Sequence, residues 1–138
     1  MLPLCRADGL AVIPWSPLGR GVLSGKYKPG EEPPDDTRAS DDRMTQALLQ
    51  EKTFEVVNAV EKVAGELGKT PAQVALNWVL TREGVTAPII GSRTPQQLAD
   101  NLGATGWRLE DEHDRLLHEA SRIPLGYPHD FQRWVGAR

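Results

Sequence analysis

The residues best suited to chemistry sit where an apolar run meets a helix start. Ile89-Ile90 leads into Gly91-Ser92-Arg93-Thr94-Pro95-Gln96-Gln97. A Thr at the N-cap, Pro at the first helical position and Gln three residues beyond the Thr form a capping box. A helix that begins there presents unpaired backbone N–H groups and the positive end of its dipole, which favours an anion. Ser92 and Thr94 add hydroxyls, and Arg93 adds a guanidinium able to grip phosphate oxygens in pairs. A plainer reading fits the same residues: Thr94 and Gln97 only cap the helix, and Arg93 is solvated.

A second candidate is Trp15-Ser16-Pro17-Leu18-Gly19-Arg20-Gly21-Val22-Leu23-Ser24-Gly25-Lys26-Tyr27, which follows the apolar run Gly9–Pro14. It is not a Walker A loop, since Arg20 stands where the first Gly should be and Tyr27 where Ser or Thr should be. It also misses the dinucleotide fingerprint, because Gly19, Gly21 and Gly25 are spaced G-x-G-x-x-x-G. What remains is flexible backbone with Arg20 and Lys26 just past a buried strand, where α/β folds place ligands. An ordinary turn-rich loop is the alternative.

Groups for bond-making are scarce. His113 and His118 lie in an acidic helix and His129 in the tail. Asp114 and His118, one turn apart, are expected to pair on the surface. No Cys/His cluster has metal-ligand spacing, and Cys5 has no evident activating neighbour. The acidic stretches Glu31-Glu32, Asp35-Asp36 and Glu110-Asp111-Glu112 fit a solvated loop and a helix N-terminus. No nucleophile–base pair is evident, so catalytic residues are not expected in this chain.

The elements that must hold the two candidate sites follow from periodicity. Gly9–Pro14 and Val85–Ile90 are short apolar runs that suit strands buried on both faces of a parallel sheet. Lys28 to Ser40, with Pro29, Pro33 and Pro34, is expected to be irregular. Between about Asp42 and Leu67, Phe54, Val57, Val60, Ala64 and Leu67 recur at helical spacing up to Gly68. Thr70-Pro71-Ala72-Gln73 opens a second helix ending at Gly84, with Val74, Ala75, Trp78 and Val79 inward. A helix from Thr94 to Gly103 and another from Leu109 to Ser121 follow, then a tail expected to be extended. Helix-linked apolar strands mean a parallel α/β sheet. Two such strands have open edges and are marginal alone, so they are expected to belong to a larger sheet.

Composition narrows the partners. With 39% hydrophobic and 25% charged residues the chain is globular in type. The formal charge of -3 and the lack of any basic run argue against nucleic acid. The single Cys5 excludes an internal disulfide, no apolar run approaches a membrane span, and the N-terminus lacks a leader pattern. A soluble, cytoplasmic protein is the expectation.

Taken together, the two loops resemble the segments after strands seven and eight of aldo/keto reductases, in the branch with bacterial general-stress reductases and potassium-channel β subunits. Trp15 to Tyr27 is similar to the first and Gly91 to Asn101 to the second. Asp36-Thr37-Arg38-Ala39-Ser40, the Thr70-Pro71 helix and the Gly126-Tyr127-Pro128 tail extend the likeness over nearly the whole chain.

The resemblance implies part of a (β/α)8 barrel, strands seven and eight with their helices and tail, across residues 1–138 as one oxidoreductase segment. It also implies an NADP(H) site. Trp15 would stack on the nicotinamide; Ser16, Leu18 and the Gly19–Arg20 backbone would meet the pyrophosphate; Lys26 and Arg38 would close over the cofactor. Gly91, Ser92 and Arg93 would hold the 2′-phosphate, and Gln97, Asp100 and Asn101 would line the adenine. The parent activity implied is hydride reduction of aldehydes and ketones. The family's catalytic Asp, Tyr, Lys and His come from earlier strands, which implies that this chain alone is inactive. It would be part of a truncated or split reductase completed by the other barrel strands, or a non-catalytic NADP(H)-binding module.

Overall fold

A computed structural model describes residues 1–123 and 126–136. Its helices are α1 (Leu2–Ala7), α2 (Arg38–Asp41), α3 (Arg43–Gln46), α4 (Glu51–Leu67), α5 (Pro71–Leu80), α6 (Pro95–Leu102), α7 (Asp111–Ala120) and α8 (His129–Gly136). A short 3-10 helix, Gly19–Ser24, lies within the Gly-rich loop.

Apolar spacing decides the core. On α4, Phe54, Val57, Val60, Val63 and Ala64 fall on one buried face, and the helix stops at Gly68 with φ 60°. The capping box of α5 is complete: Thr70 Oγ1 accepts from Gln73 N and Gln73 Oε1 accepts from Thr70 N, both at 3.2 Å. Val60, Val63 and Ala64 then pack against Val74 and Ala75 of α5 and Leu117 of α7. A second cluster, Val22, Tyr27 and Ala39 against Phe54 and Val57, fastens the Gly-rich loop to α4. Burying each large apolar side chain contributes about 1.5–3 kcal/mol.

Polar groups fix the remaining joints. Asn77 is fully buried on α5, and its Nδ2 donates to the carbonyls of Ala104 and Trp107, both at 2.9 Å. It thereby satisfies two main-chain acceptors in the turn between α6 and α7. The Asp100 carboxylate of α6 accepts from Thr70 Oγ1 at 3.0 Å and from Gln73 Nε2 at 3.0 Å, which seats α6 on the start of α5.

Several expectations need correction. The runs Gly9–Pro14 and Val85–Ile90 are extended and parallel, but they form one isolated bridge, Trp15 with Ile89, rather than regular strands. Main-chain bonds from Thr86 N to Val12 O (2.8 Å) and from Ile89 N to Pro14 O (2.9 Å) hold them together. They are not buried on both faces, since Leu10, Ile13 and Ile89 are about half exposed. Among the described residues no third extended segment bridges to this pair.

The helix foreseen over Asp42–Leu67 is divided into α3 and α4. Gln50 is extended (φ -114°, ψ 158°), and Asp42 (φ -110°, ψ 105°) caps α3 with its side chain. The tail is helical from His129, not extended; Phe131, Trp134 and Val135 have helical i, i+3, i+4 spacing. Asp114 does not pair with His118. It takes the guanidinium of Arg82, in the turn that follows α5, while His113 meets Glu66 of α4 at 3.1 Å. The turn brings Arg82 against α7, where its guanidinium takes the carboxylate in place of the imidazole one turn away.

Replacing Asn77 with Ala should cost about 2–4 kcal/mol, because two buried carbonyls lose their donor. Urea unfolding followed by Trp fluorescence should show the lowered midpoint; an unchanged midpoint would mean that water takes over both acceptors.

Candidate functional site

Because the two extended segments run parallel, the loops leaving their C-terminal ends emerge side by side. Between them lies a cleft of about 620 Å³. Trp15, Ser16, Leu18, Arg20 and Lys26 line it from the first loop, and Arg38 from the start of α2. Gly91, Ser92, Arg93, Gln97, Asp100 and Asn101 line it from the second. Of the residues expected to hold the cofactor, Gly19 is the one outside the lining, and the Thr94 hydroxyl lies outside it too. Gly19 lies inside the turn, its N–H bonded to Ser16 O at 2.9 Å. Ser24, Thr37 and Ala72 also contribute to the wall; they lie within segments noted in the sequence but were not assigned a role there.

The first wall is a tight turn built from left-handed backbone. Ser16 (φ 55°), Gly19 (φ 55°), Arg20 (φ 59°) and Gly21 (φ 93°) all lie in that region, which only Gly enters without strain. The end of the Lys26 side chain lies over Gly21, with Nζ 3.2 Å from where a Cβ would stand. Arg20 donates its N–H to Ser16 Oγ at 3.1 Å. Its guanidinium faces α3, where Nε reaches Asp42 Oδ2 at 2.9 Å and Thr45 Oγ1 at 3.1 Å, and Nη2 reaches Asp42 Oδ2 at 2.6 Å. The charge of Arg20 is therefore matched within the protein. Lys26 and Arg38 are different: both are exposed on the cleft and their side chains make no hydrogen bond or ion pair among the described residues, Lys26 resting 5.1 Å over the Tyr27 ring.

The second wall is the start of α6. Thr94 Oγ1 accepts from Gln97 N at 3.2 Å, as a cap should, but Gln97 Oε1 reaches past Thr94 to accept from Arg93 N at 2.8 Å. The amides of Ser92, Thr94 and Gln96 have no acceptor among the described residues. The Arg93 guanidinium donates once, to the Asp36 carbonyl at 2.9 Å, and keeps its other N–H groups. Free amides, a helix end and three cations with spare donors give the cleft the chemistry of a polyanion site. Trp15, 71% exposed at the cleft edge, adds a bare aromatic face.

Among the described residues, no Tyr, His or Cys lines the cleft. Tyr27 is 2% exposed in the core, its hydroxyl accepting from Ala39 N at 3.3 Å. His113 bridges α7 to α4, His118 lies on the exposed side of α7, and the side chain of His129 lies outside what is described. No group of His, Cys, Asp and Glu among the described residues could hold a metal ion, and no described helix is long and apolar enough to cross a membrane.

Asp42 is the site's most perturbed group. The Thr45 hydroxyl, then the Arg20 guanidinium, hold its carboxyl at about 2, against an ordinary value of 3.8. A lowered folded value means that the carboxylate stabilises the fold above its unfolded value and that this contribution fades as pH falls through about 2. In a carboxyl-carbon NMR titration, Thr45→Val should move the Asp42 midpoint up toward 3.8, and Arg20→Gln should do so less. A midpoint indifferent to both changes would contradict the geometry.

With the cleft described, comparison with known proteins becomes specific. The model described as Aldo/keto reductase family matches residues 1–121. An uncharacterized oxidoreductase, YrpG, of Bacillus subtilis is 36% identical over 134 residues, covering 97% of this chain and 39% of that protein. A probable aldo-keto reductase of Glycine max is 34% identical over 126 residues, covering 91% of this chain and 36% of its own length. An aldo-keto reductase of Schizosaccharomyces pombe whose name specifies NADP(+) is 32% identical over 124 residues, covering 87% and 35%. A probable voltage-gated potassium channel β subunit of Oryza sativa is 35% identical over 105 residues, covering 75% and 32%. Among solved structures, a glycerol dehydrogenase from Gluconobacter oxydans aligns with TM-score 0.66 and 29% identity, covering 92% of this chain and 40% of that one. The chain thus spans under half the length of each of these relatives. The paired segments, their two loops and these matches agree: the chain belongs to the aldo/keto reductase family.

Proposed function

We propose that the cleft binds NADP(H) as the cofactor-holding part of a carbonyl reductase. The single observation that carries this reading is the convergence of Lys26, Arg38 and Arg93, all with spare donors, on one cleft beside the amides that open α6. Arg93 and Ser92, next to Gly91, take the 2′-phosphate. The Ser16–Arg20 backbone and Leu18 follow the diphosphate, with Lys26 and Arg38 above it. Gln97, Asp100 and Asn101 border the adenine, and Trp15 offers its ring to the nicotinamide. Bound NADPH supplies a hydride for an aldehyde or ketone.

The proton donor and its partners are proposed to lie on strands of the family barrel outside these 138 residues. By themselves these residues bind cofactor without turning over an aldehyde. The paired segments Gly9–Trp15 and Val85–Ile90 are read as barrel strands seven and eight. The exposure of Leu10, Ile13 and Ile89 supports that reading, since neighbouring strands would cover such residues. A barrel-completing role beside a separately supplied set of strands rests on the same exposed side chains.

Arg93→Ala should raise the Kd for NADPH about 10- to 100-fold, the loss of charged hydrogen bonds to one phosphate, and leave NADH nearly unchanged. Quenching of Trp fluorescence reports both, with Trp15→Phe as the control. Equal losses for the two dinucleotides would refute the assignment of the 2′-phosphate to Arg93. Turnover of an aldehyde with NADPH by the purified chain would refute the claim that the acid–base groups lie elsewhere.

A further inference from the structure

The left-handed turn that forms one wall of the cleft depends on two residues of α3. Ser16 and Arg20 carry a Cβ yet keep positive φ, a conformation that persists only where its surroundings enforce it. Part of the enforcement is main-chain: Gly19 N to Ser16 O at 2.9 Å, Gly21 N to Leu18 O at 3.0 Å and Leu23 N to Leu18 O at 3.1 Å. The rest comes through the Arg20 side chain. Its guanidinium is held by the Asp42 carboxylate and the Thr45 hydroxyl, and that hydroxyl in turn donates to Asp42.

The anchor itself is firmly placed. Thr45 is fully buried, and Asp42 also accepts from Met44 N and Thr45 N, both at 3.2 Å, as the cap of α3. Arg20 lines the cleft while its guanidinium is engaged by Asp42 and Thr45. Neither Asp42 nor Thr45 lines the cleft.

We infer that Asp42 and Thr45 are positioning residues for cofactor affinity: by gripping the Arg20 guanidinium they fix the Ser16–Gly21 turn in the shape that receives the diphosphate. The inference rests on the NADP(H) reading above. It separates two kinds of arginine in one site. Arg93 acts on the 2′-phosphate, which only NADP(H) has. The Arg20 anchor acts on the diphosphate, which both nicotinamide dinucleotides share.

Two substitutions keep most of the local structure. Asp42→Asn retains an N-cap side chain but removes the charge, and Thr45→Val retains volume but removes the hydroxyl. Dissociation constants for NADPH and NADH are measured by Trp fluorescence. Hydrogen exchange of the Gly19, Gly21 and Leu23 amides is followed in the same proteins without ligand. Far-UV circular dichroism checks that each variant folds.

In Asp42→Asn, both dissociation constants should rise about tenfold, as for one ordinary hydrogen bond lost, with their ratio unchanged, and the three amides should exchange faster. Thr45→Val should follow in the same direction, and Thr45→Ser, which keeps the hydroxyl, should bind like the wild type. A folded Asp42→Asn protein that binds both dinucleotides normally, or loses NADPH alone, overturns the inference. If Asp42→Asn fails to fold, Thr45→Val against Thr45→Ser decides by the same criteria. A wild-type chain that binds neither dinucleotide overturns the cofactor reading instead. The exchange rates then judge the turn alone: faster exchange in Asp42→Asn upholds the anchor, and unchanged exchange overturns it too.

Discussion

Two main-chain hydrogen bonds organise this molecule, from Thr86 to Val12 and from Ile89 to Pro14. They set the extended segments parallel, so both chains leave the pair in the same direction and both following loops open onto one cleft. A parallel pair cannot be closed by a tight turn; it needs a long crossover, here supplied by α4 and α5. The packing of Val60, Val63 and Ala64 against Val74 and Ala75 fixes that crossover. The Val22–Tyr27 cluster fastens the first loop to α4, and Asp100 fastens the second to α5. The cleft is the consequence of these three fixings.

Charge is distributed to match. The chain is net acidic at -3, yet the cleft gathers Lys26, Arg38 and Arg93 without a carboxylate paired to any of them among the described residues. Arg20, by contrast, gives its charge to Asp42. The same residue type serves as a brace in Arg20 and as an open donor in Arg38 and Arg93, and what separates the uses is whether an acid is folded within reach. Arg93 leans on a carbonyl, which carries no full charge, and so stays electrostatically available for an anion.

The sequence exposed the parts of this architecture that local rules govern. The Thr70 capping box, the apolar face of α4 and the Thr94 cap follow from spacing alone. The cofactor residues came from the family resemblance instead, and all of them except Gly19 line the cleft. Hidden were the features set by long-range contact. The roles of Asp42 and Thr45 depend on an arginine over twenty residues earlier, that of Asp36 on Arg93, and the choice of Arg82 over His118 by Asp114 on where the turn after α5 lands against α7. The break between α3 and α4, at the extended Gln50, was missed because the apolar spacing that marks α4 from Phe54 onward was carried back to Asp42. Strand regularity was over-read because apolar runs report burial, and here a third strand is needed to provide it.

The proposed phosphate grip at the start of α6 is the contact on which the cofactor reading rests. Calorimetric titration of the chain with adenosine 2′,5′-bisphosphate and, separately, with adenosine 5′-monophosphate isolates that grip from the nicotinamide and from any chemistry. Tighter binding of the bisphosphate, with the advantage lost at high salt as a guanidinium–phosphate contact requires, is the predicted result. Equal binding of the two nucleotides would contradict it.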